Sequence, residues 1–215
     1  MNIHLKFILL GDSSVGKTSI FIKYTDNVFK DCFTSTVGID NKIKAIKYKG
    51  YNINSTIYDT AGQEKYRAII SNYYNNVNGV FLVFDLTNLK SFENLNSWIE
   101  EVNSSQSNSN IIILGNKSDL NDIIRVTDED ISDFENNTGL QIIKTSAKDG
   151  INIEEAFIKM FDLVIGNKNE KQICNEFCKS ISRKKLLKSN TYKKKIKSKM
   201  LLNFILFIEI LIGFI

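Results

Sequence analysis

The run Gly11-Asp12-Ser13-Ser14-Val15-Gly16-Lys17-Thr18 spaces two glycines, a lysine and a hydroxyl as a phosphate-binding loop requires. Successive backbone N–H groups can wrap a phosphate chain there, and the start of a following helix favours negative charge. Gly16 lets the backbone approach closely, Lys17 can reach the outer phosphates, and Thr18 can offer its hydroxyl to Mg²⁺. Ser13, Ser14, Val15 and Ser19 belong to the same expected contact set. The bland alternative is a glycine turn with no ligand. It loses weight because an apolar, β-prone run leads into the loop and a helical pattern leaves it.

Asn116-Lys117-Ser118-Asp119 speaks to the base. A carboxylate at Asp119 can accept hydrogen bonds from the guanine ring N–H and its exocyclic amine. Adenine lacks that donor pair and would leave a buried carboxylate unpaired, which is how a polar site discriminates steeply. Taken alone this tetrapeptide also suits a surface turn; downstream of a phosphate loop and directly after a strand it reads as a guanine site, with Asn116, Lys117 and Asp119 in contact. Ser146, Ala147 and Lys148 can close over the base with backbone N–H groups. Phe29 can pack on its other side, unless it is simply a core aromatic.

Asp59-Thr60-Ala61-Gly62-Gln63 ends another strand. Asp59 there can support Mg²⁺ through water, Gly62 can give an N–H to a γ-phosphate, and Gln63 can orient an attacking water as the catalytic residue. Thr36, in a polar loop, can bind both the metal and the γ-phosphate, so the expected metal set is Thr18, Thr36 and Asp59. Loss of that phosphate would free both loops in an order–disorder switch. A P-loop ATPase or kinase is disfavoured by Asn116 and Asp119. A scaffold that binds GTP without hydrolysis is disfavoured by Gln63 beside Asp59 and Thr36. No arginine lies between Tyr24 and Thr36, so the first loop offers no arginine finger in cis, and slow unaided hydrolysis is expected.

These residues need strand ends to carry them. Ile3 to Leu10 is β-prone, Thr18 to Tyr24 reads as a helix, and Lys49-Gly50 is a turn signal between Ile39–Tyr48 and Tyr51–Tyr58. Val80 to Phe84 and Ile111 to Leu114 are continuous apolar runs, as expected of parallel strands covered on both faces. Ser91 to Val102 places Phe92, Leu95, Trp98, Ile99 and Val102 at helical spacing. Ile131 with Phe134, and Ile153 through Val164, mark two more helices, with a short strand at Leu140 to Lys144. Alternating strands and helices predict a doubly wound α/β domain with a mostly parallel six-stranded sheet, ligands lying at the carboxyl ends of the strands.

With those motifs in place, residues 3 to 166 resemble a Ras-superfamily small GTPase, and specifically a Rab. The resemblance rests on Ser35-Thr36-Val37-Gly38-Ile39-Asp40, on Asp59 through Arg67, and on Tyr73-Tyr74, Phe84-Asp85-Leu86-Thr87-Asn88, Ser91-Phe92 and Trp98. It implies a GTP/GDP switch in membrane traffic. It also implies exchange factors, activating proteins that supply an arginine in trans, and effectors that read the two loops. A signalling GTPase of Ras type outside the Rabs is the alternative. The family's effector patch falls on Ile39, Asn41, Tyr58 and Tyr73, the last three being its aromatic positions. Asn41 stands where Rabs carry Phe, and Tyr58 where they carry Trp, so partner identity is open.

The chain has 215 residues and a net charge of +4, unevenly spread. Nine of the seventeen residues from Arg183 to Lys199 are basic, whereas the part before Lys168 is acidic on balance. A basic tail suits nucleic acid or an anionic membrane, and the apolar run Met200 to Ile215 favours the membrane. The expected division is a GTPase domain at 1–167, a basic tail at 168–199 and an apolar segment at 200–215, which is either an anchor, an interfacial helix or a misassigned exon. The expected place is the cytosolic face of an intracellular membrane, held peripherally or by the tail. No prenylatable cysteine ends the chain; Cys174 and Cys178 are candidates for acylation. Three cysteines and a single histidine, His4, give neither a disulfide framework nor a zinc set.

Overall fold

The computed structural model describes residues 2–30, 36, 38–62, 77–105 and 110–166. They belong to the first of two units into which the chain divides, Met1–Asn167. Gln63, Tyr73 and the whole tail beyond 166, including Cys174, Cys178 and the 200–215 segment, lie outside the described residues.

Six strands form one sheet: β1 (Asn2–Leu10), β2 (Ile39–Tyr48), β3 (Tyr51–Thr60), β4 (Gly79–Asp85), β5 (Asn110–Asn116) and β6 (Ile142–Lys144), in the spatial order β2-β3-β1-β4-β5-β6. Only β2 runs antiparallel, against β3; every other pairing is parallel. The helices are α1 (Lys17–Asp26), α2 (Leu89–Glu93), α3 (Leu95–Ser105), α4 (Asp128–Thr138) and α5 (Ile153–Gly166). The stretch expected as one helix from Ser91 is thus two, joined at Asn94. Lys49 and Gly50 both take positive φ, 47° and 80°, which is the two-residue turn that matches strand twist.

Apolar patterning explains the layers. β4 is buried at every position, as its uninterrupted apolar run requires for a strand covered on both faces. On one face Phe7, Tyr24, Phe81, Phe157 and Phe161 interlock, and the Tyr24 and Phe157 rings stack with centroids 3.5 Å apart, fixing α1 and α5 against the sheet. On the other, Ile8, Leu82 and Ile113 pack with Leu95, Trp98 and Val102 of α3 and Ile131 of α4. Each such side chain contributes about 1.5–3 kcal/mol by leaving water.

β2 is held differently. Its helix-facing side carries lysines: Lys42 pairs with Asp26 at 2.5 Å, and Lys44 reaches Glu154 and the Tyr24 carbonyl, both at 2.7 Å, while lying 3.8 Å from the Tyr24 ring centroid. These groups are partly exposed, so each pair is worth at most about 1 kcal/mol.

Candidate functional site

The carboxyl ends of β1, β3 and β5 and the loop after β6 surround one cavity of about 450 Å³. α1 opens onto it with its N-terminus bare: Gly16 supplies no side-chain cap, and no acid sits in the first turn. α4 is the contrast, carrying a Thr127–Asp130 capping box and three acids in its first turn. Orphan N–H groups at the start of α1 therefore remain available to an anion. Lys17 is buried there and donates to the carbonyls of Gly11 at 2.8 Å and Asp12 at 2.6 Å. Burial lowers its pKa to about 8, against the attraction of Asp59 and Asp12.

Thr18, Thr36 and Asp59 come together. Thr18 Oγ1 donates to Asp59 Oδ2 at 2.6 Å and lies 2.8 Å from Thr36 Oγ1. With its one hydrogen given to Asp59, Thr18 must accept from Thr36. The other oxygen, Asp59 Oδ1, is buried with no hydrogen-bond partner among the described residues. Burial pushes the Asp59 carboxyl up to about 6, opposed by the Thr18 hydrogen bond and by Lys17. A buried carboxylate with a free oxygen beside two hydroxyls is a hard-oxygen donor set that fits Mg²⁺.

Asn116 joins the two ends of the cavity. Its amide donates to the Val15 carbonyl at 3.0 Å and accepts from the Ala147 N–H at 3.2 Å. It presses so closely on the phosphate loop that a Cβ at Gly16, where φ is 99°, would lie 2.2 Å from Asn116 Nδ2. Asp119 accepts from the Ser146 hydroxyl at 2.7 Å through Oδ1, leaving Oδ2 without a partner among the hydrogen bonds and ion pairs described. Lys117, with φ of 66°, pairs with buried Asp85 at 2.7 Å.

Ser13, Ser14, Gly16, Lys17, Thr18 and Ser19 line the cavity as the spacing predicts. So do Phe29, Thr36 and Gly62, and at the base end Asn116, Lys117, Asp119, Ala147 and Lys148. Val15 and Ser146 do not line it; their side chains are buried behind it as supports. Ile39, Asn41 and Tyr58 share one face of the β2–β3 ribbon, with Asn41 directly opposite Tyr58. Sequence reasoning gave no site role to Thr60 and Leu120, which also line the cavity, nor to Asp85, which orients Lys117.

A bare helix start at one end of a cavity and the Asp119 carboxylate at the other are features that a P-loop guanine-nucleotide protein requires. A family model described as Ras family matches residues 6–166. Ras-related protein Rab-8 of Diplobatis ommata is 38% identical over 197 residues, covering 91% of this chain and 92% of its own. Ras-related protein Rab-8B of Homo sapiens is 40% identical over 167 residues, covering 77% and 81%. Ras-related protein RABD2b of Arabidopsis thaliana is 39% identical over 156 residues, covering 72% and 77%. The chain belongs to the Ras family and is, within it, a Rab-like small GTPase, which binds GTP and GDP, hydrolyses GTP and serves membrane traffic. Exchange factors, activating proteins and effectors are the general partners of that family.

Proposed function

We propose that this cavity is the GTP site and that Mg²⁺ is held there by Thr18, Thr36 and Asp59. The start of α1 and Lys17 take the phosphates, Asp119 takes the guanine edge, and Phe29 with Ala147 and Lys148 encloses the base. Thr18, Thr36 and Asp59 would hold the ion, which would supply neutralisation of phosphate charge. Thr36 reports the γ-phosphate from the first loop and Gly62 from the second, and Gln63 orients the attacking water. The observation that carries this reading is the pairing of opposite needs in one buried space. Lys17 is buried at the bare start of α1 with only carbonyls as hydrogen-bond acceptors, Asp59 Oδ1 is buried with no hydrogen-bond partner among the described residues, and a magnesium nucleotide would supply a partner to each.

The basic tail and the apolar segment after it are proposed to hold the domain on the cytosolic face of an anionic membrane, without a role in nucleic-acid binding. That tail is the most basic part of the chain, and basic residues beside a membrane segment favour the cytosolic side.

Fluorescent GDP displaced by GTP but not by a hundredfold excess of ATP, and released faster on chelation of Mg²⁺, is the expected behaviour. Gln63→Leu should keep binding and lose hydrolysis stimulated by an activating protein. Displacement by ATP, or chelator-insensitive release, would overturn the site assignment.

A further inference from the structure

Asp12 lies within the phosphate loop, yet it does not line the cavity. Its carboxylate turns to the helical layer instead: Trp98 Nε1 donates to Oδ1 at 2.9 Å and Asn94 Nδ2 donates to Oδ2 at 2.7 Å. Trp98 is 2% exposed and packed in the core, so the direction of its N–H is set by packing. Asn94 sits at the joint between α2 and α3. The backbone of Asp12 faces the other way. Its carbonyl accepts from Lys17 Nζ at 2.6 Å, and a Cβ at Gly62 would fall 2.5 Å from that carbonyl. One residue thus meets α3 through its side chain, and Lys17 and Gly62 through its main chain. A carboxylate free to swing into the cavity would repel a polyphosphate; two neutral donors hold it away.

We infer that Asp12 is a positioning residue for the GTPase reaction, clamped by Trp98 and Asn94 so that its carbonyl sets Lys17 and its backbone sets the approach of Gly62 to the phosphates. This rests on the nucleotide reading above and adds a mechanical link from α3 to the phosphate end.

Trp98 is the chain's single tryptophan, so its emission reports on the clamp directly. In the full-length protein loaded with fluorescent GDP and Mg²⁺, Asp12→Ala should speed release and slow single-turnover hydrolysis, each about tenfold, as loss of a charge-assisted hydrogen bond predicts. It should also shift Trp98 emission. Asp12→Asn keeps an oxygen for Trp98 and can pair with Asn94 after an amide flip, so both rates should return to within about threefold of the parent. Asn94→Ala should give part of the defect and add nothing to Asp12→Ala. Unchanged rates in Asp12→Ala would overturn the inference. So would an Asp12→Asn protein as defective as Asp12→Ala, which would mean that charge and not position matters. If Asp12→Ala does not fold, wild-type rates in Asn94→Ala overturn the inference and a partial defect supports it. Failure of the parent protein to bind guanine nucleotide would instead sink the site reading, while the emission shift would still test the clamp.

Discussion

Asn116 holds two loops with one amide from a buried position, and in the proposed site Asp119 is the group that meets the base. Asp119→Ala is expected to weaken GDP by about 3 kcal/mol, roughly two powers of ten in Kd, because a charged acceptor of two hydrogen bonds is lost. ATP should gain on GDP in the same variant; equilibrium titration with both nucleotides checks it, and an unchanged preference would remove Asp119 from the base site. That Lys17, Thr18, Asn116 and Asp119 would line one cavity was legible from sequence because each sits in a short run with fixed spacing. Asp12 and Asp85 were not. The Asp12 partners lie 82 and 86 residues away, and no local pattern announces a hydrogen bond that only the fold creates. Asp85 meets Lys117 across neighbouring strands, a contact visible only once β4 and β5 are paired.

The segment between α1 and β2 is pinned at its base, where Asp26 and Lys42 pair, and again at Thr36, which meets Thr18. Thr36→Ala should leave GDP affinity nearly unchanged and weaken Mg²⁺-GTP about tenfold, the worth of one oxygen contact to metal and phosphate. Hydrogen exchange over residues 27–40 should slow on replacing GDP with a non-hydrolysable GTP analogue in the parent, and not in the variant. Identical exchange in both nucleotide states of the parent would contradict the switch. Most elements were legible because apolar runs and helical spacing are strong in β1, β4, β5 and α5. β2 was read only loosely: lysines occupy the side that in most strands would be apolar, so the period-two signal is blurred. The break at Asn94 was missed because the apolar spacing of Phe92, Leu95, Trp98 and Val102 runs straight through it.

At the scale of the molecule, an acidic nucleotide domain is joined to a basic tail. Among the described residues no helix is long and apolar enough to cross a membrane, and the proposed attachment rests on the composition of the tail. Each basic residue near an anionic leaflet contributes about 1 kcal/mol, and an adjacent apolar segment adds a second signal. The full-length protein should sediment with anionic liposomes at low salt, whereas a chain ending at Lys179 should stay in the supernatant and bind GDP equally well. Retention of both in the supernatant would rule out the tail as an anchor. The lysine-bearing outer strand bears on crowding of many copies. Among the described residues β2 has β3 on one side only, which leaves its other backbone edge to meet a strand from another molecule. Lys42 and Lys44 are tied to Asp26 and Glu154 of their own molecule, so a second copy laid along that edge would have to accommodate these ion pairs and the exposed Lys47, and such charged side chains on an outer strand guard against fibrous stacking. Replacing all three by glutamine should raise light scattering at high concentration, and scattering equal to that of the parent would show that the edge is protected by something else.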